Sequence, residues 1–198
     1  MPELLLASFN QGKIREYRSL LDGLGYHITT LAAQGIRETI EESGGSYEQN
    51  AGLKAITYAR LGQLITLADD SGLEVDVLGG KPGVRSARFA GQTATDTDRV
   101  NFLLAKLRSV PWEKRTACFK CVIVIATPEG LSEVCYGECQ GMIAFEAKGE
   151  NGFGYDPIFY VPETGKTMAE LPLQLKNQIS HRAQASQKAR QVLQQLHT

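Results

Sequence analysis

Two adjacent carboxylates, Asp69 and Asp70, follow an apolar run in "LITLADDSGLEVD". Paired acids at the carboxyl end of a buried strand suit a hard cation, because ligands of open α/β sheets gather there. A turn cap beside a solvated loop charge would use the same residues, so the pair alone does not decide. The stretch "SFNQGK" adds Ser8, Asn10, a glycine and Lys13 between a strand and a helix start. Backbone N–H groups at such a turn, with a lysine as a point charge, suit an anion. This is not a Walker A loop, since it lacks both the G-x-x-x-x-G-K spacing and the hydroxyl after the lysine. Glu41 and Glu42 stand before "SGG", and Lys54 lies one helical turn beyond Asn50. Solvated charge is the ordinary explanation for each of these taken singly.

The elements that must position these groups alternate between strand and helix, which argues an α/β architecture. "ELLLAS" reads as a short strand. From Gln11 the apolar positions Ile14, Tyr17, Leu21 and Leu24 recur at helical spacing, with a stop at Gly23 to Gly25. "SYEQNAGLKAITYARLG" opens with Ser46 and Gln49 in capping-box relation and sets Leu53, Ile56, Tyr58 and Ala59 over one broad face. It feeds the strand "LITLA", whose carboxyl end delivers Asp69 and Asp70. "LEVDVLGG" follows as a further extended segment, and "DTDRVNFLLAKLRSV" reads as a helix. A long antiparallel pair then turns at Pro128-Glu129-Gly130. After the Gly-rich "AKGENGFGYDPIFYVP" comes a terminal helix, "SHRAQASQKARQVLQQL", with Ser180 as its N-cap.

At 198 residues and 42% hydrophobic content, the chain can bury one sizeable core, as one domain or as two lobes sharing it. With 21 Lys+Arg against 22 Asp+Glu, no global field draws it to nucleic acid or to a membrane surface. No stretch approaches the ~18 apolar residues of a membrane span, and the opening "MPELLLASFN" lacks a basic n-region, so a cytoplasmic location is expected. Cys118, Cys121, Cys135 and Cys139 read as C-x2-C followed by C-x3-C, which invites a zinc site. They fall on two strands rather than on tight knuckles, so buried strand cysteines are expected instead.

Together, "SFNQGKIRE", "EESGGSYEQNAGLKA", "ADDSGLEVDVLGGKPGVRSARFAG", "GFGYDPIFYVP" and "ISHRAQA" resemble, in order and over nearly the whole chain, the motifs of the inosine/xanthosine triphosphate pyrophosphatase family, the RdgB-like dITP/XTP pyrophosphatases. The resemblance implies a mixed central sheet flanked by helices, forming two lobes around a deep substrate cleft in a single catalytic domain spanning residues 1–198. It also implies a homodimer and magnesium-assisted hydrolysis of ITP, dITP and XTP to the monophosphate and pyrophosphate. Carried over, Ser8, Asn10 and Lys13 would hold the triphosphate, and Lys54 and Ser71 would contact phosphate. Glu42 and Asp70 would bind Mg2+, Asp70 would activate water, and Asp69 could share the ion. Phe153, Gly154, Tyr155 and Asp156 would approach the base. Lys176, His181 and Arg182 would read the base or touch phosphate, with Arg182 the first choice for the C6 carbonyl edge.

Phe9 stands where relatives have glycine, and Pro172 and Leu175 where threonine and glutamate are common. These departures concern how Lys13 and Lys176 are presented. Two other readings use the same chain: a zinc-stapled interaction module, and a Maf-type pyrophosphatase acting on modified pyrimidine or other nucleotides.

Overall fold

Apolar runs too short for a helix become strands, and the amphipathic segments between them become helices. The computed structural model describes residues 1–196. Its strands are β1 (Glu3–Leu6), β2 (His27–Thr30), β3 (Ile65–Val75), β4 (Lys81–Pro82), β5 (Thr116–Ala126), β6 (Ser132–Ile143), β7 (Phe159–Val161) and β8 (Lys166–Thr167). The helices are α1 (Gln11–Leu20), α2 (Tyr47–Gly62), α3 (Asp96–Lys106), α4 (Leu173–Ile179) and α5 (His181–Leu196). The strands form a mixed sheet in the order β2-β1-β3-β5-β6-β7-β8, with β4 added to β3. β1 runs parallel to β2 and β3, with Leu5 opposite both Thr29 and Thr66. The pairs β3/β4, β6/β7 and β7/β8 are antiparallel. The expected class, a mixed α/β sheet with helices, is the one that forms.

The chain divides into two compact units. One comprises Met1–Asp70, Cys121–Gly137 and the segment from Arg182 on; the other comprises Ser71–Lys120 and Glu138–His181. Each has its own contiguous core. In the first, Leu4, Leu6, Tyr17, Leu67, Ile123, Ile125, Ala185 and Leu193 pack together. In the second, Leu73, Val75, Leu103, Phe119, Ile143, Tyr155, Phe159 and Met168 do so. Among the described residues no helix is long and apolar enough to cross a membrane.

Local signals held well at helix starts. Asn10 caps α1, its Oδ1 accepting from the Lys13 N–H at 3.1 Å. The Gly23 and Gly25 stop is occupied by residues at φ +75° and +77°, a left-handed geometry that suits glycine. Ser46 caps α2 by accepting from the Gln49 N–H at 3.2 Å, but Gln49 reaches back to the Gly45 N–H rather than to Ser46, so the expected box is displaced by one residue. The buried face of α2 also differs from expectation. Asn50, Ala51, Ala55, Tyr58 and Ala59 face inward while Leu53 is exposed, because alanines at i, i+4 and i+8 let the helix backbone pack closely.

The largest departure is β3. It does not end at Ala68 but runs on through Asp69, Asp70, Ser71 and Gly72 to Val75, so the acids are mid-strand rather than at a carboxyl end. The expectation assumed that two carboxylates need water. Both are buried instead, and side chains remote in sequence compensate them. "LEVDVLGG" is correspondingly extended only to Val75, after which Asp76–Leu78 form a 3-10 turn. Helix α3 stops at Lys106, short of Val110.

All four cysteines are reduced, buried and on β5 or β6, as expected for strand residues. Cys118 and Cys139 belong to one unit, Cys121 and Cys135 to the other, so neither close sequence pair stays together in a core. Burial pushes the Cys118 and Cys139 thiols up to about 11 from an ordinary 9.0. A raised thiol pKa favours the folded state below the unfolded value and loses that contribution as pH climbs through the folded value. The unfolding free energy should therefore fall between about pH 9 and 11, by at most about 1.4 kcal/mol per pH unit for each thiol. Urea titrations across this range should show a shallower fall in a Cys118→Ala/Cys139→Ala variant than in the parent. Equal slopes would contradict burial as the cause.

Candidate active site

β3 places Asp69 and Asp70 on opposite faces, since successive strand residues alternate. The two acids therefore meet different partners. Asp69 is 2% exposed; its Oδ2 accepts from Lys13 Nζ at 2.9 Å and from Arg182 Nη2 at 3.5 Å. Arg182, also 2% exposed, donates through Nη1 to Glu16 Oε2 at 2.6 Å. Helix α1 presents Lys13 and Glu16 one turn apart, and α5 supplies Arg182 from its first turn. Burial alone would raise the Asp69 pKa, but Lys13, Arg182 and Lys54 outweigh it and hold the carboxyl well below the usual carboxylate range. Burial likewise opposes the charge on Arg182, and Glu16 and Asp69 overcome it.

Asp70 meets α2. Asn50 Nδ2 donates to its Oδ2 at 2.9 Å. Four residues on, Lys54 Nζ donates to Glu42 Oε1 at 2.5 Å and to the Asp69 carbonyl at 2.7 Å. Burial raises the Asp70 pKa and Glu42 adds to the rise, while Lys54, Lys13 and the Asn50 bond oppose it. For Lys54, burial works against the ammonium, and Asp69, Glu42 and Asp70 reverse the balance. Four carboxylates (Glu16, Glu42, Asp69, Asp70) thus stand among three cations (Lys13, Lys54, Arg182).

Ser8 and Asn10 use their side-chain oxygens as acceptors within the turn. Ser8 Oγ accepts from the Asn10 N–H at 3.1 Å, and Asn10 caps α1. The turn thereby sets Lys13 and the first N–H groups of α1 at the end of β1. Phe9 is 46% exposed, so its side chain points outward rather than into the turn.

The other unit carries the remaining predicted residues. Lys176 on α4 is buried and ion-paired with Asp156, and its Nζ lies 5.1 Å from the centre of the Phe153 ring. Asp156 Oδ2 also accepts from the Phe153 N–H at 2.9 Å, and Asp96 Oδ2 accepts from the Gly154 N–H at 2.7 Å. Gly152, at φ +75°, is required: a Cβ there would run into the Asp156 carboxylate. Tyr155 is buried and donates to the Ser86 carbonyl at 2.9 Å. His181 is buried and stacked on Phe119, with centroids 4.7 Å apart and planes at 14°. Pro172 precedes α4 at φ −65°, a position that proline fills without loss, and Leu175 packs on the core. Ser71 lies on β3, half-buried.

Arg182 does not offer its guanidinium at a surface; it is enclosed, and Glu16 and Asp69 engage it. The Asp69 carboxylate is likewise engaged by Lys13 and Arg182. Asn50 and Glu16 were missed as site residues. The available signal was spacing: Asn50 is one turn before Lys54, and Glu16 is three residues after Lys13.

Comparison with known proteins gives this geometry its context. A family model, the Ham1 family, matches residues 4–192. The dITP/XTP pyrophosphatase of Desulforamulus reducens is 47% identical over 195 residues, covering 98% of this chain and 97% of that protein. That of Bacillus subtilis is 44% identical, covering 98% of each. Among solved structures, a HAM1 protein from Coxiella burnetii superposes with a TM-score of 0.88 at 42% identity, covering 98% of this chain and 100% of the other. The Staphylococcus aureus Ham1 protein gives 0.86 at 41%, covering 98% and 99%. With nearly every residue matched in both sequence and fold, the chain belongs to the Ham1 family.

Proposed function

We propose that the chain hydrolyses deaminated purine nucleoside triphosphates, namely ITP, dITP and XTP, to the monophosphate and pyrophosphate, and so cleanses the nucleotide pool. It acts as a single catalytic domain in a cytoplasmic homodimer. The observation that carries this reading is the buried Asp70, set beside Glu42 and Lys54 in a chain 47% identical to a dITP/XTP pyrophosphatase.

Glu42 and Asp70 are the residues that would hold Mg2+. Their donor set fits a hard cation: carboxylate oxygens, with one more negative than positive group in the surrounding cluster. Among the described residues no three His, Cys, Asp or Glu side chains form a closed cage. Magnesium commonly takes only one or two protein carboxylates, leaving its other positions to water and phosphate oxygens. When bound, the ion supplies neutralisation of charge on the phosphate oxygens and acidification of water. Asp70 accepts the proton of the attacking water, a role served by burial raising its pKa. Lys13, held at its depth by Asp69, and Lys54 offer positive charge to the triphosphate, helped by Ser8, Asn10, Ser71 and the α1 N-terminus. Phe153 offers its ring to the base, and Lys176, fixed by Asp156, supplies a donor without an acceptor. Hypoxanthine and xanthine present a carbonyl acceptor at C6; adenine presents an amino donor. A lysine donor at that edge favours the first two. Arg182 contributes indirectly, by bracing Asp69.

A panel of nucleotides should show dITP, ITP and XTP turned over at least ~10²-fold more efficiently than dATP, with pyrophosphate rather than orthophosphate released. Rate should vanish on chelation and return with Mg2+. Preference for uridine- or thymidine-type nucleotides would support the Maf-type reading instead. Two substitutions separate phosphate binding from base selection. Lys13→Ala should lower kcat/KM alike for dITP and dATP, because the phosphates are common to both. Arg182→Lys should reduce stability and overall rate while leaving the dITP to dATP ratio unchanged; a narrowed ratio would return Arg182 to the base edge.

A further inference from the structure

We propose that Asn50 is the positioning residue of this site: its amide fixes the Asp70 carboxylate and ties to it the loop that carries Glu42. The inference rests on the hydrolytic roles assigned above to Asp70 and Glu42, and concerns a residue given no part in them.

Asn50 is 0% exposed. Burying an amide costs free energy unless both its ends are satisfied, and here they are, by groups of opposite kind. Oδ1 accepts from the Gly44 N–H at 2.8 Å, and Nδ2 donates to Asp70 Oδ2 at 2.9 Å. A backbone N–H can only donate and an ionised carboxylate can only accept, so the amide has one orientation. Lys54 cannot do the same work, because an ammonium is a point charge with rotatable donors, whereas the amide plane imposes direction.

The acidic loop is built onto the same turns of α2. Gly44 bonds to Asn50, the Gly45 N–H donates to Gln49 Oε1 at 2.8 Å, and Glu42 meets Lys54. Gly44 permits this approach: a Cβ there would stand 2.7 Å from Asn50 Oδ1 and 2.7 Å from Gln49 Cβ. One amide therefore links the backbone two residues beyond Glu42 to the carboxylate of Asp70, and sets the spacing of the two acids.

Asn50→Asp keeps the shape and the acceptor for Gly44 but turns the donor into an oxygen facing Asp70. With dITP at saturating Mg2+, kcat should fall at least about tenfold while KM changes less than about threefold. The melting temperature should also drop, and Asn50→Asp/Asp70→Asn, which reverses donor and acceptor, should recover the melting temperature but not kcat. Gly44→Ala should raise the Mg2+ concentration for half-maximal rate, since its Cβ would press on Asn50 Oδ1 and displace the loop that carries Glu42. A kcat within about twofold of the parent in Asn50→Asp, or no recovery of melting temperature in the double variant, would overturn the proposal. If Asn50→Asp does not fold, an unchanged Mg2+ requirement in Gly44→Ala overturns it. Failure of the parent chain to hydrolyse dITP would sink the hydrolytic reading instead, leaving the melting-temperature exchange to judge the Asn50–Asp70 bond by itself.

Discussion

A carboxylate at 2% exposure in the middle of a sheet strand must be compensated, and Asp69 is compensated by Lys13 and Arg182. Removing an ion from water costs several kcal/mol, and that loss is offset only by close, well-oriented partners. Arg182 is itself buried and in turn needs Glu16. The requirement therefore spreads from β3 to α1 and α5, elements more than a hundred residues apart in the chain, and sets where Lys13 stands. The buried charge of Asp69 thus ties three elements together.

Its neighbour meets other partners because a strand turns successive residues to opposite faces. Asp70 points toward Asn50 and the region of Glu42 and Lys54, where burial raises its pKa, whereas cations hold that of Asp69 down. Identical side chains one residue apart thus acquire opposite electrostatic character from the helices packed on each face. Environments that push two carboxyl groups apart in this way are a recurring mark of divided labour between a base and a structural anion.

Local signals in the sequence carried most of the fold: the helix from Gln11, the glycine stop after α1, the Ser46 start of α2 and the cysteine-bearing strands were all legible in runs of a few residues. Ordered motifs also carried the family resemblance. Tertiary compensation was not legible. Nothing near Asp69 announces Arg182, so β3 was expected to end where its charges begin. Leu53 was expected inside because it is large and apolar, whereas close packing through Ala51, Ala55 and Ala59 left it outside. Arg182 was read as a group with several free donors, whereas Glu16 and Asp69, far from it in the chain, engage its guanidinium in the fold.

The division of labour between the two aspartates is the central claim, and paired measurements on Asp69→Asn and Asp70→Asn test it most directly. Melting temperature and kcat for dITP should move in opposite order. Asp69→Asn should lower stability by about 3–5 kcal/mol, since it strands the buried Arg182 and Lys13. Asp70→Asn should stay close to the parent in stability yet lose at least ~10²-fold in kcat at saturating Mg2+. Near-parental turnover in Asp70→Asn, or a folded and equally stable Asp69→Asn, would contradict the account.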